Sequence, residues 1–512
     1  MNVTLTGCGE EEPDAGSLAW AYLPFEAPGG EGLGVSAGGL SHANGSMITR
    51  TVHCGASGVP YFAAMLHPRS LMLFLALLLA VILNAQVLHR KGSLGAQLEA
   101  VAEDKGVRVV RVIPGTTAAS IGLRAGDVVR ALNGTRVNTV GALVDVVRNW
   151  ESDMPLVVRI ARGGRERDLK GRVVGKPLET SDQGSVIYGE VPFDGGALRS
   201  ILELPHGVHR PPVVLWLPGV GCYSQDYAAD PRSPYKQWVE GLVERGIAVF
   251  RVEKPGMGDS RNRTSCLDMD FDHEVAAYCA ALAHLRSLPD IDPERIFLYG
   301  HSMGVLSLPR VAASGAVAGA IAWGGVATTW FEYELRLIRE QEAIKGMDPV
   351  AIEERMRARL PLLTDFYLHQ RPVQELAQRP EHAAALAEYY DGRTWHGLQH
   401  PDFFQDIGRL DILAAYRALD RPMLLLAGEH DLHAIDTGWA TTIADAVNRS
   451  RAGSAICKVV PGTTHHYHTV PSMQEYVDME ADGRITAAYM AEHFNAEVPR
   501  LIAEWMFDRG KQ

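Results

Sequence analysis

The pentapeptide Gly300-His301-Ser302-Met303-Gly304 lies between an apolar run, 295–299, and a helix-compatible stretch, 305–313. The two glycines let the backbone turn sharply and let the helix pack close to the strand. The turn then holds the serine oxygen at the end of a sheet, with the helix N-terminus behind it. The positive end of the helix dipole stabilises negative charge that develops there. The motif therefore predicts a strand, a tight turn that presents a serine, and a helix.

The sequence around this motif separates it from a chance match. Residues 34–38 have the same spacing, but they lie in a glycine-rich stretch with no strand before it and are interpreted as coil. Around Ser302, strand and helix signals alternate, which predicts a parallel sheet with helices on both faces. A hairpin is predicted at 185–191 and 197–204, further strands at 212–217, 247–252, 296–299, 318–323, 422–427 and 455–460, and helices at 235–245, 274–288, 305–313 and 485–507.

A G-x-S-x-G motif between a strand and a helix resembles the nucleophile elbow of the α/β-hydrolases. The fold class implied is α/β, with a hydrolase domain over residues 185–512 after a linker at 176–184. Residues 328–420 interrupt the alternation with a helical, charged and aromatic-rich stretch. This insertion resembles the helical cap of many α/β-hydrolases.

In that family the catalytic residues follow in the order serine, acid, histidine. Gly428-Glu429-His430-Asp431 follows the strand at 422–427 and resembles the family's G-x-x-D, which favours Asp431 as the acid over Glu429. Pro461-Gly-Thr-Thr-His465 follows the next strand and resembles the usual P-G-x-x-H. His465 is therefore the expected base. His466 and His468 stay as alternatives.

The resemblance also implies an oxyanion hole made of two backbone N–H groups. One is expected from Met303 and the other from the loop at 218–222, where Val220 is favoured and Gly221 is the alternative. The family often has His-Gly where this chain has Pro218-Gly219, so the second donor stays open. Two cysteines, Cys222 and Cys266, follow adjacent loops at this edge. A disulfide between them is one hypothesis, and two free thiols are the other.

Residues 91–176 read as a separate small domain. An alternating strand at 107–113 runs into Pro114-Gly115, an alanine-rich turn ending at Gly122-Leu123, a Gly126-Asp127 turn, and a strand ending at Asn133-Gly134. These pieces resemble a bacterial PDZ domain of the kind attached to periplasmic proteases. In that family a loop before the first strand caps the terminal carboxylate of a peptide or protein, and the peptide adds as a strand beside the helix at 140–150. The matching loop residues would be Leu94, Gly95 and Ala96, after Ser93. The alternative is a spacer domain with an empty groove.

Residues 70–88 carry no charge, and residues 71–83 are continuously apolar. A run of this length suits the core of a signal peptide, whereas a membrane span usually needs about 20 residues. We therefore expect residues 65–90 to be a signal peptide or a membrane anchor. The protein would be exported, either to the periplasm or anchored facing outside the cytoplasm. Residues 1–64 would be a disordered or mis-started extension before a natural start at Met65.

Composition excludes several other classes of protein. The net charge is −12, with no long basic run, so no nucleic-acid partner is expected. Six cysteines without a C-x-x-C motif indicate neither a zinc ribbon nor a thioredoxin-type site. The chemistry expected of the triad requires neither a metal nor an organic cofactor.

Three functions compete at this point. The leading hypothesis is a serine hydrolase that cleaves small carboxylic esters through an acyl-enzyme. The PDZ-like domain makes a serine peptidase the second hypothesis, although no propeller repeats like those of prolyl-peptidase relatives are present. The third is a catalytically dead hydrolase scaffold that acts as a PDZ adaptor, against which the complete triad in family order argues.

Overall fold

The computed structural model describes residues 2–4, 88–101 and 106–509. These residues form two β-sheets, one in a small domain and one in the larger domain that follows it. The motif at 34–38, the extension at 1–64 apart from residues 2–4, and the apolar segment at 70–88 apart from Leu88 lie outside the described residues. Among the helices of the described ranges, none is both long and apolar enough to cross a bilayer.

The small domain is built on an antiparallel sheet with strand order β1-β2-β3-β4-β6-β7, and β5 pairs with β4. Side chains alternate along β3, where Val107 and Val109 are buried and Arg108 and Val110 are exposed. The buried face of the sheet packs against α2 through Leu143. The elements are β1 (Asn2–Thr4), β2 (Ala96–Ala100), β3 (Val107–Val112), α1 (Thr117–Ser120), β4 (Val128–Leu132), β5 (Thr135–Arg136), α2 (Val140–Val147), β6 (Pro155–Arg162) and β7 (Arg165–Arg172).

The larger domain contains an eight-stranded sheet in the order β15-β14-β13-β12-β10-β11-β9-β8. Strands β10 to β15 are parallel, whereas β8 and β9 form an antiparallel hairpin at one edge. Strand β10 lies between β11 and β12, so the order in which strands are added to the sheet switches from one side of β10 to the other. Ligand crevices of α/β folds form at such a topological switch point. The strands are β8 (Gly184–Phe193), β9 (Gly196–Pro205), β10 (Val213–Leu217), β11 (Ala248–Val252), β12 (Ile296–His301), β13 (Gly319–Trp323), β14 (Met423–Gly428) and β15 (Ala455–Val460).

Both faces of this sheet are covered, which explains why its central strands are continuous apolar runs. On β10, Leu215 belongs to one apolar cluster and Trp216 to another, on the opposite face. Helices α4 (Phe271–Ser287) and α5 (Gly304–Ser314) cover the first face, and α3 (Pro234–Val243) lies on the second.

The stretch between β13 and β14 is helical, as the sequence predicts for the cap. Its aromatic residues pack mainly on each other; the rings of Phe366 and Trp395 stack with centroids 3.8 Å apart. They therefore form the core of the insertion. The helices are α6 (Trp330–Arg336), α7 (Glu342–Ile344), α8 (Pro349–Leu363), α9 (Val373–Leu376), α10 (Ala383–Tyr389), α11 (Pro401–Gly408) and α12 (Ile412–Ala418), with π-helical turns at Leu337–Gln341 and Thr364–Leu368 and a 3₁₀ turn at Pro380–His382.

The C-terminal part differs from the single helix predicted at 485–507. Four helices follow β14: α13 (Gly438–Ser450), α14 (Met473–Ala481), α15 (Ala487–Glu492) and α16 (Glu497–Arg509). The helical conformation is interrupted between α15 and α16, at Asn495. The N–H of Asn495 donates to the carbonyl of Tyr467 at 2.7 Å. The Asn495 side chain also accepts from the N–H of Glu497 and donates to Thr463 Oγ1. These bonds tie the break to the loop after β15.

Ion pairs join the small domain to the larger one. Arg90 Nη1 lies 2.9 Å from Asp259 and 2.5 Å from Asp226, and both carboxylates are buried. Arg261 pairs with Glu151 at 3.1 Å, across the same junction. The segment that precedes the small domain is thus held by loops of the larger domain.

Strand β12 and helix α5 approach each other closely at two glycines. A Cβ at Gly300 would lie 2.7 Å from the carbonyl oxygen of Gly304, and a Cβ at Gly304 would overlap the carbonyl oxygen of Leu217 on β10. Both obstacles are backbone atoms, so no side-chain rotation relieves them. Glycine at these positions is required by packing.

A disulfide fastens two loops beside this turn. Cys222, after β10, is bonded to Cys266, after β11, with Cα atoms 5.7 Å apart. The described residues also include two half-buried free thiols, Cys279 and Cys457.

Gly304→Ala is expected to lower the free energy of unfolding by about 3 kcal/mol, because the added methyl forces the strand and helix apart. Gly141→Ala on α2 is the control, since the nearest atom to its added Cβ is Thr139 Oγ1 at 4.0 Å. Alanine there is expected to raise helix stability by about 0.5–1 kcal/mol. Urea unfolding followed by circular dichroism measures both; equal stability of Gly304→Ala and wild type would contradict the packing argument.

Replacing both Cys222 and Cys266 by serine is expected to lower the free energy of unfolding by about 4 kcal/mol, from the loop entropy of a disulfide closing a sequence separation of 44. Cys279→Ser is the control, because its thiol is free. Denaturant unfolding under non-reducing conditions measures both variants. A double variant as stable as wild type would show that the bond does not form.

Candidate active site

Ser302 occupies the tight turn between β12 and α5. Its φ is +55°, a left-handed conformation that is strained for a residue with a side chain. The turn is held by the Ser302 N–H, which donates to the carbonyl of Trp323 at 2.8 Å, and by the Val305 N–H, which donates to the Ser302 carbonyl at 3.0 Å. Ser302 is partly exposed, whereas His301 and Met303 on either side are buried. The strained turn therefore presents the serine at the sheet edge, as the motif predicts.

Asp431 and His465 form a buried pair on the loops after β14 and β15. His465 Nδ1 lies 2.8 Å from Asp431 Oδ2 and 3.0 Å from Oδ1, and both residues are at most 3% exposed. Burial alone would raise the pKa of the Asp431 carboxyl, but the His465 imidazole outweighs it, and the pKa is lowered. The carboxylate also accepts from the N–H of Ala434 at 2.9 Å. The ionised Asp431 carboxylate thus bonds both the Ala434 N–H and His465 Nδ1. It orients the imidazole with its Nδ1–H toward the carboxylate.

The end of β13 connects this pair to Ser302. Trp323, whose carbonyl accepts from Ser302, donates its indole N–H to the carbonyl of His465 at 2.9 Å. At the next residue, Gly324, an added Cβ would lie 2.7 Å from the His465 ring and 3.0 Å from Asp431 Oδ2. Gly324 has φ +62°, so glycine is required there on both counts. The three sequence-predicted residues thus lie at the carboxyl ends of parallel strands of one sheet, after β12, β14 and β15, and Trp323 on β13 bonds the backbone of both Ser302 and His465.

The alternatives to this pair point elsewhere. Glu429 is exposed and accepts from the N–H of Gly462 at 2.8 Å. His466 Nδ1 shares a hydrogen bond with the hydroxyl of Tyr235 at 2.6 Å, and His468 Nδ1 shares one with Thr464. Each of these two imidazole nitrogens is bonded to a hydroxyl, whereas His465 faces a carboxylate.

Two further histidines, His301 and His433, pack against His465. Their ring centroids each lie 4.9 Å from that of His465. Burial, reinforced by the neighbouring His465, lowers the pKa of His301 and of His433 to about 3. They therefore stay neutral and add no charge beside His465. The sequence gives no signal for this role, because neither position belongs to the triad pattern.

The loop at 218–222 lies against the nucleophile turn. A Cβ on Gly219 would lie 3.1 Å from the Cβ of Ser302. The Gly221 N–H donates to the side-chain oxygen of Gln399 at 3.1 Å, so this amide is already engaged by the cap. Val220 is half-buried, and Met303 is the N-cap residue of α5. Of the two loop amides considered from sequence, this favours Val220.

The loop at the start of the small domain, 93–96, is closely packed. Leu94 and Ala96 are fully buried, and Gly95 has φ +72° with Thr116 occupying the space of a side chain. The outer edge of β2, where a peptide would add, is paired with β1 in antiparallel register, Thr4 opposite Gln97. A peptide in the predicted position would therefore take the place of β1.

The part of the chain that the structure describes contains no group of three or more His, Cys, Asp or Glu side chains arranged to hold a metal ion.

Comparison with known proteins finds one family model for each of the two domains. The model of the alpha/beta hydrolase family matches residues 213–479, and that of the PDZ domain matches residues 92–173. A probable periplasmic serine endoprotease, DegP-like, from Marinomonas sp. (strain MWYL1) is 26% identical over 112 residues, which are 20% of this chain and 23% of that protein. The chain thus spans about a quarter of this relative's length.

Among solved structures, Est1E from Butyrivibrio proteoclasticus matches with 15% identity and a TM-score of 0.39, covering 64% of this chain and 99% of that one. The esterase domain of a Rhodothermus marinus protein matches with 15% identity and a TM-score of 0.34, covering 60% and 99%. The family model covers more than half of the sequence. This chain belongs to the alpha/beta hydrolase family and carries a PDZ domain ahead of its hydrolase domain.

Proposed function

We propose that this protein is a serine hydrolase that cleaves small carboxylic esters through an acyl-enzyme. The observation that supports the proposal is the buried Asp431–His465 pair, which lies on loops at the same sheet edge as the turn that carries Ser302. An alcohol is a poor nucleophile at neutral pH and needs a base that is itself oriented by an anion. These three residues supply those parts in the order of the family.

In the proposed mechanism, Ser302 Oγ attacks the acyl carbonyl while His465 Nε2 takes the hydroxyl proton. Asp431 holds the Nδ1–H and stabilises the imidazolium that forms. His465 then gives the proton to the leaving alcohol, and the acyl group stays on Ser302. A water molecule, deprotonated by His465 in turn, attacks the acyl-enzyme. His465 then returns this proton to Ser302 Oγ as the bond to the acyl group breaks, and the acid is released.

The tetrahedral intermediates carry a negative oxygen that needs fixed donors. We assign these donors to the backbone N–H groups of Met303 and Val220. The N-terminus of α5 adds its dipole at the same point. No metal or organic cofactor takes part in these steps.

The PDZ domain is proposed to bind a peptide or the C-terminus of a protein, with Leu94, Gly95 and Ala96 capping the carboxylate.

The peptidase hypothesis stays as the second candidate, because the relative named as a periplasmic serine endoprotease matches over the PDZ region. That match and the Cys222–Cys266 disulfide support a location outside the cytoplasm. Rates on 4-nitrophenyl butyrate and on peptide 4-nitroanilides separate the two enzymes, and we expect the ester to be preferred.

Ser302→Ala is expected to lower turnover of 4-nitrophenyl butyrate by at least about 10⁴-fold, because no other group can form the acyl-enzyme. The variant should also lose covalent labelling by a fluorophosphonate probe, detected by mass spectrometry. Ser36→Ala, in the other G-x-S-x-G match, is the control and should retain both. Full turnover by Ser302→Ala would refute the proposed function, and absence of labelling in the wild type would favour the adaptor hypothesis.

Two further variants test the acid and base. Asp431→Asn is expected to lower kcat by about 10⁴-fold, since an amide favours the wrong imidazole tautomer. His465→Asn should lose a similar factor, whereas His466→Asn, one residue away and bonded to Tyr235, should keep most of the activity. Steady-state kinetics on the ester compares them. If His466→Asn were the inactive variant and His465→Asn active, the assignment of the base would be wrong.

A further inference from the structure

A fully buried ion pair lies beneath the loop at 218–222. Lys254 follows β11, Glu274 lies on α4, and Lys254 Nζ is 2.8 Å from Glu274 Oε2, with neither side chain exposed. Burial lowers the pKa of Lys254, and the Glu274 carboxylate opposes this effect. Neither residue belongs to the triad. A buried pair is weak evidence of a stabilising role, because desolvation offsets much of its attraction.

The lysine holds one peptide group of the loop. Lys254 Nζ donates to the carbonyl of Gly219 at 2.8 Å. In a trans peptide the C=O and the following N–H point in opposite directions. A carbonyl turned toward the buried ammonium therefore turns the Val220 N–H away from it. Gly219 itself lies against Ser302, so this peptide group is beside the nucleophile.

The glutamate holds the next part of the loop through a residue of the cap. Gln399, also fully buried, donates its Nε2–H to Glu274 Oε2 at 3.3 Å and accepts the Gly221 N–H at 3.1 Å. The carboxylate fixes which end of the Gln399 amide faces the loop. The peptide groups on both sides of Val220 are thus oriented by one connected set of side chains.

This set also affects how strongly the Val220 N–H can donate. A cation bonded to the carbonyl of a peptide group polarises that group and strengthens its N–H as a donor. A dipole fixed in advance, in a site with little water, stabilises an oxyanion without reorganisation. The ammonium of Lys254 lies on the far side of the peptide from that N–H, so it does not itself contact the oxyanion.

We propose that Lys254, Glu274 and Gln399 are positioning residues that orient and polarise the Gly219–Val220 peptide as an oxyanion-hole donor. The proposal rests on the esterase function proposed above. It assigns the cap a direct part in assembling the catalytic site, because Gln399 lies in the insertion between β13 and β14.

Gln399→Met tests the link from the cap. The variant is expected to lower kcat for 4-nitrophenyl butyrate by about 10–100-fold, with KM changed less than about twofold. This is less than the loss of about 10²–10³-fold on removal of an oxyanion-hole donor, because the Val220 N–H remains and only its orientation is less fixed. Affinity for an alkyl trifluoromethyl ketone, which forms an oxyanion on the serine, should fall by the same factor. A merely structural role would not link these two losses.

Gln405→Met is the matched control, because Gln405 is also a buried cap glutamine but its side-chain Nε2–H group donates to the carbonyls of Phe366 and Arg371 within the cap. It should leave kcat and inhibitor affinity unchanged, and thermal unfolding of both variants shows whether each is folded. If Gln399→Met behaves like Gln405→Met, or if both lose activity equally, the proposal is wrong.

The double variant Lys254→Met, Glu274→Gln tests the ion pair without leaving a buried charge unpaired. It keeps an acceptor for Gln399 and removes the donor to Gly219, so kcat and inhibitor affinity should fall together, as for Gln399→Met. Unchanged kinetics would overturn the role of Lys254. If the double variant does not fold, Gln399→Met still decides the proposal. Failure of the esterase function is recognised separately, because the wild type would then not turn over the ester, or Ser302→Ala would keep full turnover.

Discussion

The close approach of β12 to α5 is the constraint on which the rest of the site depends. Without side chains at Gly300 and Gly304, the helix can begin directly over the ends of β10 and β12. The chain can then turn within one residue, and that residue, Ser302, is forced to a positive φ. Because β10 to β15 are parallel, the loops after β10, β13, β14 and β15 begin at the same edge as this turn. Packing at two glycines thus sets the position of Ser302 relative to the loops that carry Asp431 and His465.

Much of this arrangement could be predicted from the sequence, for a physical reason. Strands buried on both faces appear as apolar runs, so the order of strands and helices is visible locally. A residue directly after such a strand, such as Asp431 or His465, is then placed at the sheet edge by topology alone. The same logic failed at the C-terminus, where a continuous helix was predicted. The interruption of the helix at Asn495 depends on Tyr467 and Thr463, which are more than twenty residues earlier in the chain. Local helix propensity does not reflect such contacts.

Contacts between distant segments also explain what the sequence left open in the site. Val220 and Gly221 are adjacent and both have an N–H, so nothing local distinguishes them as donors. The distinction comes from Gln399, 178 residues away, which engages one of the two. The neutral histidines around His465 are a similar case, since burial by several elements, and not the sequence spacing, lowers the pKa of His301 and His433. The placement of the candidate residues at the sheet edge was therefore predictable, whereas their electrostatic surroundings were not.

The loops after β10 and β11 also form ion pairs with Arg90, in the segment ahead of the PDZ domain. Arg90 bonds Asp226, four residues after Cys222, and Asp259, five residues after Lys254. Two buried carboxylates near each other are costly unless a cation lies between them, so these loops depend on Arg90 for their charge balance. Arg199 reaches Asp259 as well, at 3.3 Å, but Asp226 has no such second arginine among the described ion pairs. The sheet edge that carries the candidate site is consequently stabilised by a residue that precedes the PDZ domain in the chain.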